Sequence, residues 1–450
     1  MAGPGLPENI DATYPDDPAD ESVKAHQEHH GTIHAMLNDY DADMAPVTDD
    51  LLRFDGSLWT ADSASTTATE GQGLIHNGLT YQPTSFNRGH EYAFVNKVGS
   101  DYIARRRDGV VLSTSTVAAT AINAAVDAAA ATADRGSAYT VRLDGIEFPI
   151  TTPILMRSGV VLAGQGHTGR YADTDRDTAG TVLRSNQAGL VSLIYANHDT
   201  SAYKNVAVGA LVENLTVDGN AKQASYGIRS DQAGFTAREV IIKDCATYGW
   251  WAEDRTTGGE ALGQSFVSGE IWNCAVGIRG DITDGIARPR RMLANDTAID
   301  LRAGGWQIGG FHITSASGIG IRTRAQYGNT ISDVVFDSLV SPIIVEGTYG
   351  NVNIFGCRAY TMAGTACINV TSTAGVMLNV SNFNVANVNA SVWTSFVKLP
   401  AAGTVRAAVV GCVLPAANFS HYVWNGTTEY GTPGTGTNTA SMYVQGIVTY

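Results

Sequence analysis

Between Leu211 and Val370 one short pattern keeps returning. Each return has an apolar strand, a small polar residue, a brief turn, and a second short strand often opened by glycine. The copies are LTVDGN…YGIRS, VIIKDCATYGWWAE, GEIWNCAVGIRG, MLANDTAIDLRA, FHITSASGIGIRT, VVFDSLVSPIIVE and NIFGCRAYTMAGTACINV. The second strands anchor at Ile228, Trp250, Ile278, Ile299, Ile321, Ile343 and Ile368, in steps of 22, 28, 21, 22, 22 and 25 residues. Such a period marks a solenoid, in which a repeat buries its apolar face only by stacking on the next. The apolar runs are short, rich in Val and Ile, and bounded by Gly, Asn, Asp and Ser, which is the signature of strands. Leucine-rich repeats have a similar period, but their LxxLxL pattern is missing. The expected fold is therefore all-β, a parallel β-helix with one coil per repeat.

The alignment predicts an inward column of Val217, Ile242, Ile271, Leu293, Ile313, Phe336 and Phe355. Two positions later come Asp244, Asn273, Asn295, Ser315 and Ser338, a polar ladder where the backbone turns and its amides lose strand partners. Five cysteines occur, Cys245, Cys274, Cys357, Cys367 and Cys412, without a CxxC pair. Cys245 and Cys274 fall in one column of successive coils and are read as small buried hydrophobes.

Composition fits this fold. Of 450 residues, 49 are Gly and only 16% are charged, as many tight turns and a long core require. The net charge of −14 argues against a nucleic-acid partner. No apolar run approaches the eighteen or so residues of a membrane span, so no membrane insertion is expected. The opening MAGPGLPENIDATYPDD is acidic and has no apolar core, so no secretory signal is expected.

The chain divides into four expected parts. In residues 1–52, Val23, His26, His30, Ile33, Leu37, Tyr40, Met44 and Val47 step by 3 and 4. This is a heptad seam with Asp20 placed to cap it and Pro46 to end it. Three heptads are too short for a lone helix, which predicts a bundle of several chains. The His26/His30 and His30/His34 pairs fit a metal ion, or an anion or water enclosed in the seam. Residues 53–112 read as a small β domain, with a hairpin around Gly99-Ser100 and a basic run, Arg105 to Arg107, on a solvated or inter-subunit face. Residues 113–370 hold an Ala-rich helix, Thr116 to Asp134, followed by the β-helix. In its first coil, Asp173, Asp175 and Asp177 alternate like Ca²⁺ ligands, though the Gly and distal Glu of an EF-hand loop are missing. Residues 371–450 read as a β-rich C-terminal cap, with a change of arrangement expected at Val405 to Val413 and Tyr422 to Trp424. Apart from a structural Ca²⁺ or an ion in the seam, no cofactor is expected.

Strand alternation places candidate chemistry outside the coils. The residue after each anchor points out: Arg229, Trp251, Arg279, Asp300, Arg322 and Ile344. Two positions on come Asp231, Glu253, Asp281, Arg302, Arg324 and Glu346. Asp231, Glu253 and Asp281 thus stack on consecutive coils, neighbours about 5 Å apart and Asp231 about 10 Å from Asp281, separations that bracket those of retaining and inverting glycosidases. Stacked carboxylates also raise one another's pKa, as a general acid needs. The competing reading is a structural charge ladder, with Arg229, Arg279, Arg302 and Arg324 as counter-ions. Trp251 favours a glycan groove, and Arg255 to Gln264 is an insertion able to wall it. A second candidate face carries Glu239, Glu270, Trp272, Arg290 and His312, beside outward Ile241, Met292 and Val335. In this reading Asp231, Glu253 and Asp281, or else Glu239 and Glu270, are the catalytic candidates. Trp251, Arg279, Arg229, Trp272 and His312 are the glycan-binding ones.

Several segments carry resemblances. Gly145-Ile146-Glu147-Phe148, Ser158 to Gly166 (SGVVLAGQG) and Thr181-Val182-Leu183, preceded by a helix, resemble the entry to the pectate-lyase-like right-handed β-helices. That likeness covers about Ser113 to Val370 and implies a helix closing the open end of the stack. Polygalacturonases of this fold carry NTD, DD, GHG and RIK motifs. The set is absent here, and Asp49-Asp50 lies far outside the β-helix. Pectate lyases pair an Asp cluster with an Arg, which Asp231, Glu253, Asp281 and Arg279 imitate without a confirming motif. The order of heptad seam, small β domain, helix-capped β-helix and C-terminal cap resembles bacteriophage tailspikes. SVKAHQEHHGTIHAMLN is similar to the opening of minor tail proteins of phages infecting actinobacteria. These resemblances imply a homotrimer held to the other tail or baseplate proteins of a virion by its N-terminus. Such a particle protein is assembled in the host cytoplasm, released by lysis, and binds a bacterial surface polysaccharide. The alternative implied is a depolymerase, a hydrolase or lyase, acting on that glycan.

Overall fold

The computed structural model describes most of residues 90–450. The segments outside the description there are 134–137, 167–179, 197–208, 255–262, 315–317, 325–327, 348–349, 361–363, 373–374, 387–392, 402–404, 416–418, 426, 428, 431–441, 446 and 450. Before residue 90 it describes the backbone of four short strands. The heptad seam, Asp49-Asp50 and the Asp173 to Asp177 run lie outside the described residues.

Contacts divide the chain into Met1–Arg88 and Gly89–Tyr450. In the first unit, Leu51–Phe54 pairs antiparallel with Trp59–Asp62, and Gln72–His76 with Tyr81–Ser85. The boundary expected at 112 thus moves to 88. The reason is sheet pairing: His90–Val98 runs parallel to Tyr139–Leu143 and antiparallel to Asp101–Arg106, which pairs in turn with Val111–Ser115. The hairpin at Gly99-Ser100 therefore extends the β-helix and does not belong to a separate domain.

The second unit is a right-handed parallel β-helix of three strand columns, named here sheets A, B and C. Sheet A begins at Ile154–Met156 and Leu190–Ala196 and climbs through Ala224–Ser230, Tyr248–Ala252, Val276–Gly280 and Thr297–Leu301 to Phe419–Trp424. Sheet B climbs from Tyr139–Leu143 and Val160–Ala163 to Met442–Gln445, and sheet C from Glu147–Ile150 and Val182–Ser185 to Val448–Thr449. The described strands between Val376 and Thr449 therefore continue the same columns. Among the described residues there, only Glu429–Tyr430 departs from this arrangement, pairing antiparallel with the end of sheet A.

Most described coils pass from sheet B to C through a bend of one residue with positive φ. Asn214 (53°), Glu239 (53°), Ser268 (57°), Asp333 (53°) and Asn382 (51°) occupy it, and Gly356 (66°) serves where no side chain is present. A short polar side chain or no Cβ is what this region tolerates. The turn from C to A uses Asp244 (56°), Asn273 (49°), Ala294 (50°) and Ser338 (55°). Asn273 donates to Asp244 Oδ1 at 2.6 Å. Ser315 lies outside the described residues. Asn295 stands one position off this ladder, in the column of Cys245 and Cys274. There it is 2% exposed, accepts from the Cys274 amide at 2.9 Å and donates to the Ile271 carbonyl at 3.1 Å.

All seven predicted anchors, from Ile228 to Ile368, are fully buried. Two members of the other inward column are corrected. Met292, not Leu293, pairs with Ile271 and Ile313, and Ala359, not Phe355, pairs with Phe336. Leu293 faces out and packs with Ile241 and Trp272, whereas Phe355 sits on the outer side of sheet B at 41% exposure. Inside, Trp250 and Trp306 are the largest plugs, the Trp250 ring centroid lying 5.9 Å from Phe266, 6.1 Å from Trp306 and 6.5 Å from Phe235. All five cysteines are free and buried.

Helix α1 (Ala118–Thr132) closes the N-terminal end of the stack, burying Ala118, Ala121, Ile122, Ala125, Val126 and Ala129. Alanines let its backbone lie close to the coil, and Asn123 fastens it by accepting from the Leu155 amide at 2.8 Å and donating to the Pro153 carbonyl at 3.1 Å. A covered end removes unpaired strand edges that would recruit other chains.

Candidate functional site

The outer face of sheet A carries the richest chemistry. Its register places Tyr195, Arg229, Trp251, Arg279, Asp300 and Arg322 in one column, as read from sequence for all but the first. A parallel column holds Tyr226, Tyr248 and Val276. Asp231, Glu253 and Asp281 follow the strand ends on three consecutive coils. Their amides continue the ladder, each bonding the carbonyl that ends the preceding coil's strand, at Ala196 (3.2 Å), Ser230 (2.8 Å) and Ala252 (2.8 Å).

The aromatic rings form one cluster. Tyr226 stacks on Tyr248 across adjacent coils, with centroids 5.4 Å apart and planes 13° from parallel. Trp251 meets both edge-on, at 5.1 and 5.6 Å. The Arg229 guanidinium lies 4.8 Å from the Tyr195 ring and 5.0 Å from the Trp251 ring, and that of Arg279 lies 5.9 Å from the Tyr248 ring. These contacts combine cation–π attraction with aromatic packing. Sequence reasoning singled out Trp251 and missed the tyrosines. Their signal was a Tyr two places before the anchor in consecutive repeats, at Tyr226/Ile228 and Tyr248/Trp250.

Each candidate carboxylate is held by a neighbour. Glu253 accepts both arms of Arg229, at 2.5 and 3.0 Å, and this bond raises the Arg229 pKa. Asp281 accepts from Arg279 Nε at 2.8 Å and from Trp251 Nε1 at 2.7 Å. Asp231 bonds the Tyr195 hydroxyl, whose pKa is raised by burial first and by Asp231 second. Asp300, 2% exposed, receives Arg279 at 2.7 Å and Arg302 at 3.1 Å on the same oxygen. Among the described residues of these two columns between 226 and 346, five outward guanidiniums (Arg229, Arg279, Arg302, Arg322 and Arg324) stand with five carboxylates (Asp231, Glu253, Asp281, Asp300 and Glu346). The face is electrically balanced, and its acids act as acceptors in ion pairs and hydrogen bonds. A general acid needs a carboxyl oxygen that can keep a proton and meet a leaving group. Here those oxygens are taken up by Arg229 on Glu253 and by Arg279 and Trp251 on Asp281.

The second candidate cluster lies on sheet C and is dispersed. Glu239 is the exposed bend residue between B and C, so it does not stand beside Glu270, which pairs with Ile241. Glu270 accepts from Trp272 Nε1 at 3.1 Å and lies 3.9 Å from Arg290. His312 stands two coils away, with Arg291 between, 3.2 Å from the Thr314 hydroxyl and 3.7 Å from Asp337. Met292, expected to face out here, is in the core. Trp272 is 8% exposed against Ile241 and Leu293, so it offers little ring surface.

Among the described residues no group of three or more His, Cys, Asp or Glu is arranged to hold a metal ion, and no helix is long and apolar enough to cross a membrane.

No family model and no curated protein matches the chain. Among solved structures, the A-module of mannuronan C-5 epimerase AlgE6 from Azotobacter vinelandii aligns at a TM-score of 0.43 and 15% identity, over 74% of this chain and 95% of its own. The AlgE4 A-module of the same organism aligns at 0.38 and 13%, over 74% and 93%. ORF18 of Geobacillus virus E2 aligns at 0.37 and 12%, over 73% of this chain and 56% of that one. At such identities the chemistry of this chain is read from its own residues.

Proposed function

We propose that the protein is a receptor-binding tail protein of a bacteriophage, and that the outer face of sheet A binds a bacterial surface glycan without cleaving it. One observation carries the binding reading: Tyr226, Tyr248 and Trp251 cluster on adjacent coils beside Arg229 and Arg279, while the nearby carboxylates are engaged as acceptors. Aromatic rings offer flat apolar surface to sugar C–H groups, and guanidinium and carboxylate edges offer hydrogen bonds to hydroxyls. A balanced face favours a neutral saccharide over a strongly charged one. The tail assignment rests on sequence alone: the heptad seam, its likeness to minor tail proteins, and the tailspike-like order of parts. A homotrimer attached to the virion through its N-terminus follows from the same reading.

The test is incubation with host envelope polysaccharide, following co-sedimentation with cells and release of oligosaccharides. Binding without release, weakened about tenfold or more by Trp251→Ala, supports the proposal. Release of products that Glu253→Gln and Asp281→Asn abolish overturns it and makes the protein a depolymerase. Ultraviolet absorbance of unsaturated sugars then separates a lyase from a hydrolase.

A further inference from the structure

The hairpin of residues 90–106 and the first coils enclose a cleft of about 410 Å³. Four arginines, Arg105, Arg106, Arg107 and Arg142, line it, against a single carboxylate, Asp144. The register explains the concentration. Phe94 pairs with Arg105 on one side and with Arg142 on the other, so all three side chains share one outward row. The strands that cover the end of the stack thereby bring the basic run beside an arginine of the first coil.

The charges are unevenly answered. Arg106 is clamped by Asp108, and Arg142 lies 2.5 Å from Glu91. Asp144 accepts from the Gly145 amide at 2.9 Å. No described carboxylate pairs with Arg105, which is exposed. On sheet A arginines and carboxylates are matched in number, and the chain as a whole carries −14. Arg105 thus presents to a concave surface a guanidinium with no carboxylate partner among the described residues. Phe94 adds an apolar wall at 37% exposure, and Gln165 adds an amide.

We propose that this cleft binds a sugar-sized ligand carrying an anionic group, a carboxylate or a phosphate, with Arg105 and Arg142 meeting the charge and Phe94 the ring. A guanidinium fork matches the two oxygens of either group. The volume lies in the range of small-ligand sites, roughly 300–1,000 Å³. The inference is independent of the sheet A reading, since it uses none of the same residues.

The experiment is calorimetric titration of the whole chain with galacturonic acid, a hexose phosphate, inorganic phosphate and galactose, at low and high salt. The acidic sugars are expected to bind in the millimolar range and to weaken with salt, and galactose to bind at least about tenfold more weakly. Preference for galacturonic acid names a uronate and preference for the hexose phosphate a phosphosugar, and either supports the proposal. Arg105→Glu should weaken both acidic sugars about tenfold or more. Phe94→Ala should weaken them about threefold while leaving inorganic phosphate unchanged. Arg105 is exposed, so its variants should keep the wild-type thermal midpoint, and Arg105→Gln provides a second, milder change. Absence of binding by every acidic probe, binding that survives Arg105→Glu, or galactose binding as tightly as galacturonic acid overturns the proposal.

Discussion

Replacing Arg279 by Met should unmask the most heavily desolvated charge on sheet A. Asp300 has a side chain 3% exposed, and its Oδ2 receives Arg279 at 2.7 Å and Arg302 at 3.1 Å, while Oδ1 has no hydrogen-bond partner among the described residues. Removing one partner of a buried pair costs roughly 3–5 kcal/mol, because the other charge is left in a poor solvent. Arg302 remains, so the lower end applies. The second bond of Arg279, to Asp281, lies where that side chain is 23% exposed and Trp251 still donates to it. It should add under about 1 kcal/mol. The expected loss is about 3 kcal/mol. Asp300→Asn should cost only about 1 kcal/mol, since Arg279 keeps Asp281 and no buried charge is orphaned. In the double variant most of the Arg279→Met penalty disappears, giving a coupling energy of about 1.5–2 kcal/mol. Urea unfolding followed by tryptophan emission, with amide exchange to localise the effect among coils, measures all three. An Arg279→Met variant within about 0.5 kcal/mol of the wild type, or additive single changes, would refute the claim that Asp300 depends on this partner.

Trp250→Ala should cost about 3–5 kcal/mol by thermal or urea unfolding, since the ring is fully buried among three aromatics. Trp250→Phe should cost far less, because the indole N–H has no hydrogen-bond partner among the described residues. Asn295→Ala should cost about 2 kcal/mol in the same assay by stranding the Cys274 amide and the Ile271 carbonyl. Burial pushes Cys412 up to about 11 and Cys357 up to about 12 from the ordinary thiol value of 9.0, and raises Cys367. Cys245 is raised chiefly by its neighbour Cys274, then by burial. All five thiols are buried and should resist a thiol reagent at neutral pH until the chain unfolds. Because these folded values lie above the unfolded one, the stability they contribute is complete below pH 9 and is lost as pH rises towards about 12, which alkaline unfolding curves measure.

The coil period and all seven inward anchors were legible because a β-branched or aromatic plug recurs once per coil. The register of the other column failed where hydrophobicity does not discriminate. Met292 and Leu293 are adjacent and both apolar, and only the positive φ of Ala294, a residue with no preference for it, decides which faces in. The column then carried Asn295 one place off. Phe355 misled for a related reason: Gly356 is the bend, so Phe355 ends a sheet B strand and the small Ala359 fills the core. On the candidate site, the column of Arg229, Trp251 and Arg279 was readable from alternation. What each carboxylate would bond was not, because that depends on side-chain reach between coils rather than on spacing. The Arg105 to Arg107 run was visible, but its cleft needs Phe94 and Arg142, which are brought beside it only by sheet pairing.

Helix α1 precedes every coil that it covers, so the ribosome makes the closed end first. At roughly 5–20 residues per second, a coil of about 22 residues emerges every one to four seconds or so. That is long compared with the microseconds in which a hairpin forms. Each new coil therefore meets a finished edge rather than a collapsing chain. The pairing it must find is local in time even though the solenoid is long, and the aromatic face of sheet A is assembled one rung after another in the order in which it is translated.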